Sequence, residues 1–158
     1  MAILRNPTSR AYSHYHMERR KGLEELSFEE AIDAESGRLD GEAERLLADD
    51  DYRSPAYCHR SYLARGIYAD QLERWTAFFP LNQILILKAE DLRTATGATL
   101  RTTLEFLGVP DCELKLDRVR NAGEYLPMRA ATRARLTEYF EPHNRRLYEM
   151  LDVKPLWE

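Results

Sequence analysis

Near its start the chain carries Arg5-Asn6-Pro7-Thr8-Ser9-Arg10-Ala11-Tyr12-Ser13, a run whose residue types suit an anion. A guanidinium grips a phosphate through two parallel N–H···O bonds, which an ammonium cannot do. Ser9 and Ser13, four residues apart, add hydroxyl donors, and Arg10 adds charge. Asn6 is a good helix N-cap and Pro7 a good first helical residue. The unpaired N–H groups and about half a positive charge at such a helix start favour phosphate. Ala2-Ile3-Leu4 has strand character, so strand, arginine and helix follow in order. That order places Arg5 at a strand's carboxyl end, where open α/β sheets bind ligands. The same residues also describe an ordinary capped helix with Arg5 in a surface ion pair, and spacing alone leaves both readings open.

The elements that must position these residues follow from periodicity. The first helix is expected from Pro7 to about Glu18, with Ala11, Tyr12 and Tyr15 on one face. Residues 24–51 predict a short acidic helix around Phe28, Ala31 and Ile32, then a loop marked by Gly37 and Gly41. Tyr68, Leu72, Trp75 and Phe79 predict a helix with one continuous apolar face, ended by Pro80. Ile84-Leu85-Ile86-Leu87 reads as a buried strand, with Lys88-Ala89-Glu90-Asp91 leaving its end. Leu100, Leu104 and Leu107 stripe a helix closed by Gly108. Cys112 to Met128 reads as a loop, Ala130 to Phe140 as a helix, and Pro142 as a restart before a last apolar face at Leu147, Met150 and Leu151. Strands alternating with helices give an α/β class with a parallel sheet, although two strands are too few to complete one.

Composition bounds the rest. The 158 residues amount to one domain, and 44% apolar content excludes a disordered chain. No apolar run approaches the ~20 residues of a membrane span. Cys58 and Cys112 lie far apart without metal-ligand spacing, so reduced thiols, a cytoplasmic location and no metal are expected. The net charge of −4 hides a partition. Residues 1–22 carry a local +4, residues 23–51 set twelve acids against Arg38 and Arg45, and Lys115 to Arg146 sets eight bases against four acids. Two basic stretches can converge on one anion or can be solvated surface. The isoelectric point of 5.7 disfavours nucleic acid as a partner.

The run from Arg5 to Tyr15 resembles the 3′-phosphate-binding motif of sulfotransferases that use 3′-phosphoadenosine 5′-phosphosulfate (PAPS), closest to the bacterial and heparan-sulfate-type branch. Further segments resemble that family in order: Arg65-Gly66-Ile67-Tyr68 through Trp75, Ile84 through Leu92, and Thr103 through Val109. Tyr125-Leu126-Pro127-Met128 and Tyr139 through Asn144 also look like bacterial members. Within these segments Tyr68, Trp75, Leu104 and Phe106 read as core rather than ligands. The resemblance implies a P-loop-like fold, and it implies that Arg5 and Ser13 hold the 3′-phosphate of PAPS or of its product, adenosine 3′,5′-bisphosphate. It also implies a late basic loop closing over the nucleotide, here Arg118, Arg120, Asn121 and Gly123, without the Lys-Gly-Arg form of heparan-type members.

The family's 5′-phosphosulfate loop lies N-terminal to the arginine motif, and no Gly-rich cradle followed by Lys-Ser or Lys-Thr occurs in this chain. Residues 1–158 are therefore expected to be the C-terminal part of a single sulfotransferase domain, with little or no activity alone. The family's catalytic base usually lies in the same preceding half. Gln71 stands where some heparan-type relatives have a histidine, and an amide is no base near neutral pH. His14, His16, His59 and His143 remain. His59, before the acceptor-side helix, is the better placed; His14 and His16 suit a positive charge beside the ligand; His143 reads as structural. No catalytic residue is assigned. The expected partners are a small-molecule or glycan acceptor with a hydroxyl or amine, and either a second copy or a complementing N-terminal half, with no membrane. The alternatives are a non-catalytic nucleotide-binding or partner-dependent fragment, and a helical interaction protein with an accidental Arg-Asn-Pro turn.

Overall fold

Strand β1 (Ala2–Leu4) pairs in parallel with β2 (Ile86–Lys88), Ala2 opposite Ile86 and Leu4 opposite Lys88. The coordinates are a computed structural model that describes residues 1–112 and 125–157. Between the strands lie α1 (Pro7–Arg20), α2 (Phe28–Asp33), α3 (Glu35–Leu39), α4 (Glu42–Ala48), α5 (Pro55–His59) and α6 (Tyr68–Thr76). After β2 come α7 (Ala89–Thr94), α8 (Thr96–Leu107) and α9 (Ala130–Leu151). Among the described residues the sheet has these two strands, and no helix is long and apolar enough to cross a membrane.

Helix α1 begins as its residues dictate: the Asn6 side chain accepts from Ser9 N–H at 3.0 Å and Pro7 takes the first position. Gly108 closes α8 in the left-handed region at φ 65°, where a side chain would be strained.

The helix expected to end at Phe140 instead runs unbroken through Pro142 to Leu151. Thr132, Leu136, Phe140 and Leu147 form its buried stripe. Pro142 and Glu138 both face solvent, where water can take the carbonyl that proline leaves unpaired. Leu136 and Phe140 pack with Ala11, Tyr15, Phe28 and Tyr62 in one core cluster. Leu147 packs with Leu4, Tyr68, Ala69 and Leu72 in a second. Helix α9 is thus a spine joining the α1 side of the molecule to the strands. Each of the fully buried Leu136, Phe140 and Leu147 side chains contributes on the order of 1.5–3 kcal/mol.

Two other expectations are corrected. The face of α6 is not continuous: Tyr68 and Leu72 are buried, but Trp75 is 59% exposed and the helix stops at Thr76, before Phe79 and Pro80. Among the described residues nothing covers these later aromatics, and Phe106 on α8 is likewise 38% exposed. Gly37 lies inside α3 rather than in a loop, whereas Gly41, at φ 70°, does mark the turn into α4.

The acidic stretch is not simply a solvated face. Glu24, Glu35 and Glu42 are buried, each with partners. Glu24 accepts from Arg38 at 2.6 Å and from Tyr62 Oη at 2.9 Å. Glu35 accepts from the N–H groups of Leu63 and Ala64 at 2.6 and 2.8 Å. Glu42 accepts from Tyr52 Oη at 2.7 Å and from Ser54 Oγ. These carboxylates staple the α2–α4 region to the segment that carries Arg65. A buried carboxylate is tolerated only with such donors.

Candidate anion-binding site at the carboxyl end of the strands

The turn between β1 and α1 is held from two sides. Tyr68 Oη donates to the Arg5 carbonyl at 2.8 Å. Glu90, just past β2, accepts from Asn6 N–H at 3.0 Å and from Trp157 Nε1 at 3.2 Å. Parallel pairing brings the ends of β1 and β2 together, which is why a residue 84 positions away can clamp this backbone. Neither contact uses the Arg5 guanidinium, which has no ion-pair partner among the described residues.

Ser9 and Ser13 are half-buried on the side of α1 turned away from its core residues Ala11, His14 and Tyr15. One turn on, His16 stacks on Tyr125, with ring centroids 4.3 Å apart and planes 4° from parallel. Tyr12 Oη donates to the Leu126 carbonyl at 3.0 Å. The segment 125–126 therefore lies against Tyr12 and His16 of α1. The expected ligands Arg118, Arg120, Asn121 and Gly123 lie outside the described residues. The helix start itself offers less than its dipole suggests. Pro7 has no N–H and Asn6 caps Ser9, so of the first three positions only Thr8 keeps an uncommitted N–H.

Two arginines join Arg5. Burial lowers the proton affinity of Arg10, and the positive charges of Arg65 and Arg5 lower it further, against raising contributions from Tyr68 and Glu35. Arg10 Nη2 donates to the Tyr62 carbonyl, while its buried Nε has no partner among the described residues. Burial raises the Glu35 carboxyl, against the lowering effect of the backbone N–H groups of Ala64 and Leu63 and of Arg10. Like charges gathered with an unmet donor form a site that gains from a multiply charged anion. Arg65, on the turn Ala64–Gly66, was legible in the sequence only as part of the resemblance, and Glu90 only as the residue leaving β2.

The histidines resolve differently from one another. His14 is 8% exposed, and among the described residues neither ring nitrogen has a hydrogen-bond partner, Glu18 Oε1 lying 3.6 Å from Nε2. Burial, then Arg10 and Arg65, hold its pKa at about 4, so it is neutral at pH 7 and supplies no positive charge to a ligand. His16 is lowered in the same direction by burial and by Arg20 and Arg19. His59 Nδ1 lies 3.0 Å from Glu18 Oε2, and since a carboxylate only accepts, the ring donates there and ties α5 to α1. Lys21 also reaches Glu18, at 3.0 Å. His143 packs against the Tyr139 ring within α9. Gln71 Nε2 donates to the carbonyls of Arg65 and Ile67 at 3.1 and 3.2 Å.

Comparison with known proteins bears on the whole arrangement. The family model for the sulfotransferase domain matches residues 1–147. A membrane-associated sulfotransferase, kil1, of Dictyostelium discoideum is 31% identical over 96 residues, covering 61% of this chain and 20% of the relative. The bifunctional heparan sulfate N-deacetylase/N-sulfotransferase 1 of Mus musculus is 29% identical over 190 residues, covering 99% of this chain and 20% of the relative. The crystal structure of a sulfotransferase from Alicyclobacillus acidocaldarius superposes with a TM-score of 0.64 at 29% identity, over 96% of this chain and 53% of that one. This chain thus spans about a fifth of the length of the curated relatives it matches and about half of the solved one.

Proposed function

The chain belongs to the sulfotransferase domain family, and from that premise we propose that it forms the 3′-phosphate side of a PAPS-dependent site for sulfuryl transfer to a hydroxyl or amine. The observation that carries this reading is Arg5, without an ion-pair partner among the described residues, on a turn clamped by Tyr68 and Glu90 and near Arg10 and Arg65, whose neighbour Gly66 packs against Pro7. When bound, the nucleotide supplies the sulfuryl group.

This chain's residues do the holding. Arg5 grips the 3′-phosphate in bidentate fashion, and Ser13 Oγ–H donates to the same group from the open face of α1. The resemblance adds Arg118, Arg120, Asn121 and Gly123, which lie outside the described residues, as further ligands of the nucleotide. The clamps fix the Arg5 backbone, so the ligand has to order its side chain but not the turn that carries it. Within its 158 residues the chain has no Gly-rich phosphate cradle followed by Lys-Ser or Lys-Thr. Alone, then, it binds the nucleotide's 3′ side and turns over no donor. A cytoplasmic setting is part of the proposal and accords with two exposed, free cysteines.

Calorimetric titration with adenosine 3′,5′-bisphosphate and with AMP tests the binding claim. The bisphosphate is expected to bind at least tenfold more tightly; equal affinities would overturn it. Radiolabelled PAPS with a panel of alcohols and amines tests the second claim, and robust turnover by the chain alone would refute it.

A second reading has its own observation. Met1, Ile3, Trp75, Phe78 and Phe79 are exposed beside a two-stranded sheet, an apolar surface that invites another polypeptide. In this reading the chain is a partner-dependent fragment, covered there by a complementing half or a second copy. Sedimentation of a compact, stable monomer at high concentration would count against it.

A further inference from the structure

A cleft of about 760 Å3 opens between α4 and α6, within the size range of small-molecule sites. Its two walls differ in chemistry. On α4, inside the most acidic stretch of the chain, Ala43, Leu46 and Leu47 stand at i, i+3 and i+4 and line the cleft. Ala43 and Leu46 are half-buried, whereas Leu47, at the rim, is 88% exposed. Glu42, on the same helix, is drawn away by Ser54, Tyr52 and Arg45.

The opposite wall carries Arg65 and Arg74, both exposed and both without an ion-pair partner among the described residues. The one carboxylate lining the cleft, Asp70, is already paired with Arg146 at 2.6 Å. Gln71 lies between the two arginines in sequence. Because its Nε2 donates to two backbone carbonyls, the end left for a ligand is Oε1, an acceptor. Gly66, next to Arg65, packs against Pro7 at the start of α1, its Cβ position 3.1 Å from Pro7 Cβ, so the cleft adjoins the proposed donor site.

We propose that this cleft seats the acceptor, and that the acceptor carries its hydroxyl or amine on an apolar body that also bears an anionic group. The identification as acceptor site rests on the donor reading above; the ligand class rests on the cleft alone. The apolar body lies on Ala43, Leu46 and Leu47, the anion between Arg65 and Arg74, and the reacting O–H or N–H donates to Gln71 Oε1. Gln71 is then a positioning residue that orients the acceptor without taking its proton.

The test uses the full chain and three probes that share one apolar body: 4-phenylbutanoate, 4-phenylbutanol and 4-phenylbutylamine. The chain's net charge is −4, so non-specific attraction favours the amine. The carboxylate is expected to bind at least tenfold more tightly than the other two. The exposed pair Arg65→Ala and Arg74→Ala, combined, should abolish that preference while the alcohol's affinity stays within twofold. Leu47→Glu should weaken all three. Equal affinity across head groups, a preference surviving the double substitution, or no binding of any probe would each overturn the proposal. Titration of adenosine 3′,5′-bisphosphate into the same preparation separates the two readings. Bisphosphate binding without a head-group preference overturns the cleft alone, and a preference without bisphosphate binding removes the donor reading alone.

Discussion

Gly66→Ala is a small change with a calculable consequence at the donor site. A Cβ at this position would lie 2.6 Å from Phe140 Cε1, 2.8 Å from Phe140 Cζ and 3.1 Å from Pro7 Cβ. The first of these is roughly 1 Å short of the ~3.5–4.0 Å optimum between carbon atoms. Phe140 is fully buried and Pro7 is the first residue of α1, so neither can swing aside into solvent. Overpacking of this kind costs about 1–3 kcal/mol. For a chain of this length each kcal/mol lowers Tm by about 2–4 °C, which gives a fall of about 2–12 °C. The displaced turn carries Arg65 and leads into Tyr68, so bisphosphate affinity should fall with stability. Urea denaturation of Gly66→Ala, Phe140→Leu and the double variant checks the mechanism. Trimming the ring makes room, so the alanine should cost at least 0.5 kcal/mol less in the Phe140→Leu background, by analogy with coupled neighbours in contact. A neutral Gly66→Ala, or an identical cost in both backgrounds, would refute the steric argument.

Glu90→Ala should free Asn6 N–H and Trp157 Nε1 together, costing about 1–3 kcal/mol and shifting the indole fluorescence to the red; an unchanged spectrum and stability would show that the clamp holds nothing. Acidification should destabilise the fold in two stages. His14 is held at about 4, below its ordinary 6.5, so its contribution is complete above 6.5 and is lost as pH falls from there toward 4; its ring NMR signals should not titrate between pH 8 and 5.5. Burial alone would raise Glu24, but hydrogen bonds from Arg38, Leu26 N–H and Tyr62 outweigh it and hold the carboxyl at about 2. Its contribution is therefore present above 4.5 and lost between 4.5 and 2, and in Arg38→Ala the loss measured by urea denaturation should be smaller and should be complete at a higher pH.

Local chemistry was legible wherever a residue acts on its own neighbours. Asn6 and Pro7 start α1, Gly108 stops α8, and Gly41 turns the chain at positive φ, all from short-range rules. The parallel pairing followed from strand–helix alternation. Helix α9 escaped because Pro142 was read as punctuation, although the stripe Thr132, Leu136, Phe140, Leu147 runs through it. Periodicity also misplaced Trp75 and Phe79, since a moment shows where an apolar face points and not whether anything covers it. At the site, Arg5, Ser13 and Arg10 were visible as types in a spacing. Arg65, Glu35 and Glu90 join them only through contacts between residues far apart in the chain, which no local pattern encodes. The buried acids of 24–42 are the sharpest case. A charge run looks solvated until the fold supplies its donors.

The most direct measurement is the ratio of bisphosphate to AMP affinity in wild-type chain and in Arg5→Ala. A lost charge-assisted contact is worth about 1.5–3 kcal/mol, more than tenfold in affinity. If Arg5 holds the 3′-phosphate, the substitution should collapse the ratio toward unity and leave AMP affinity unchanged. A ratio that survives the substitution would contradict the account, placing the 3′-phosphate away from the clamped turn at the ends of β1 and β2.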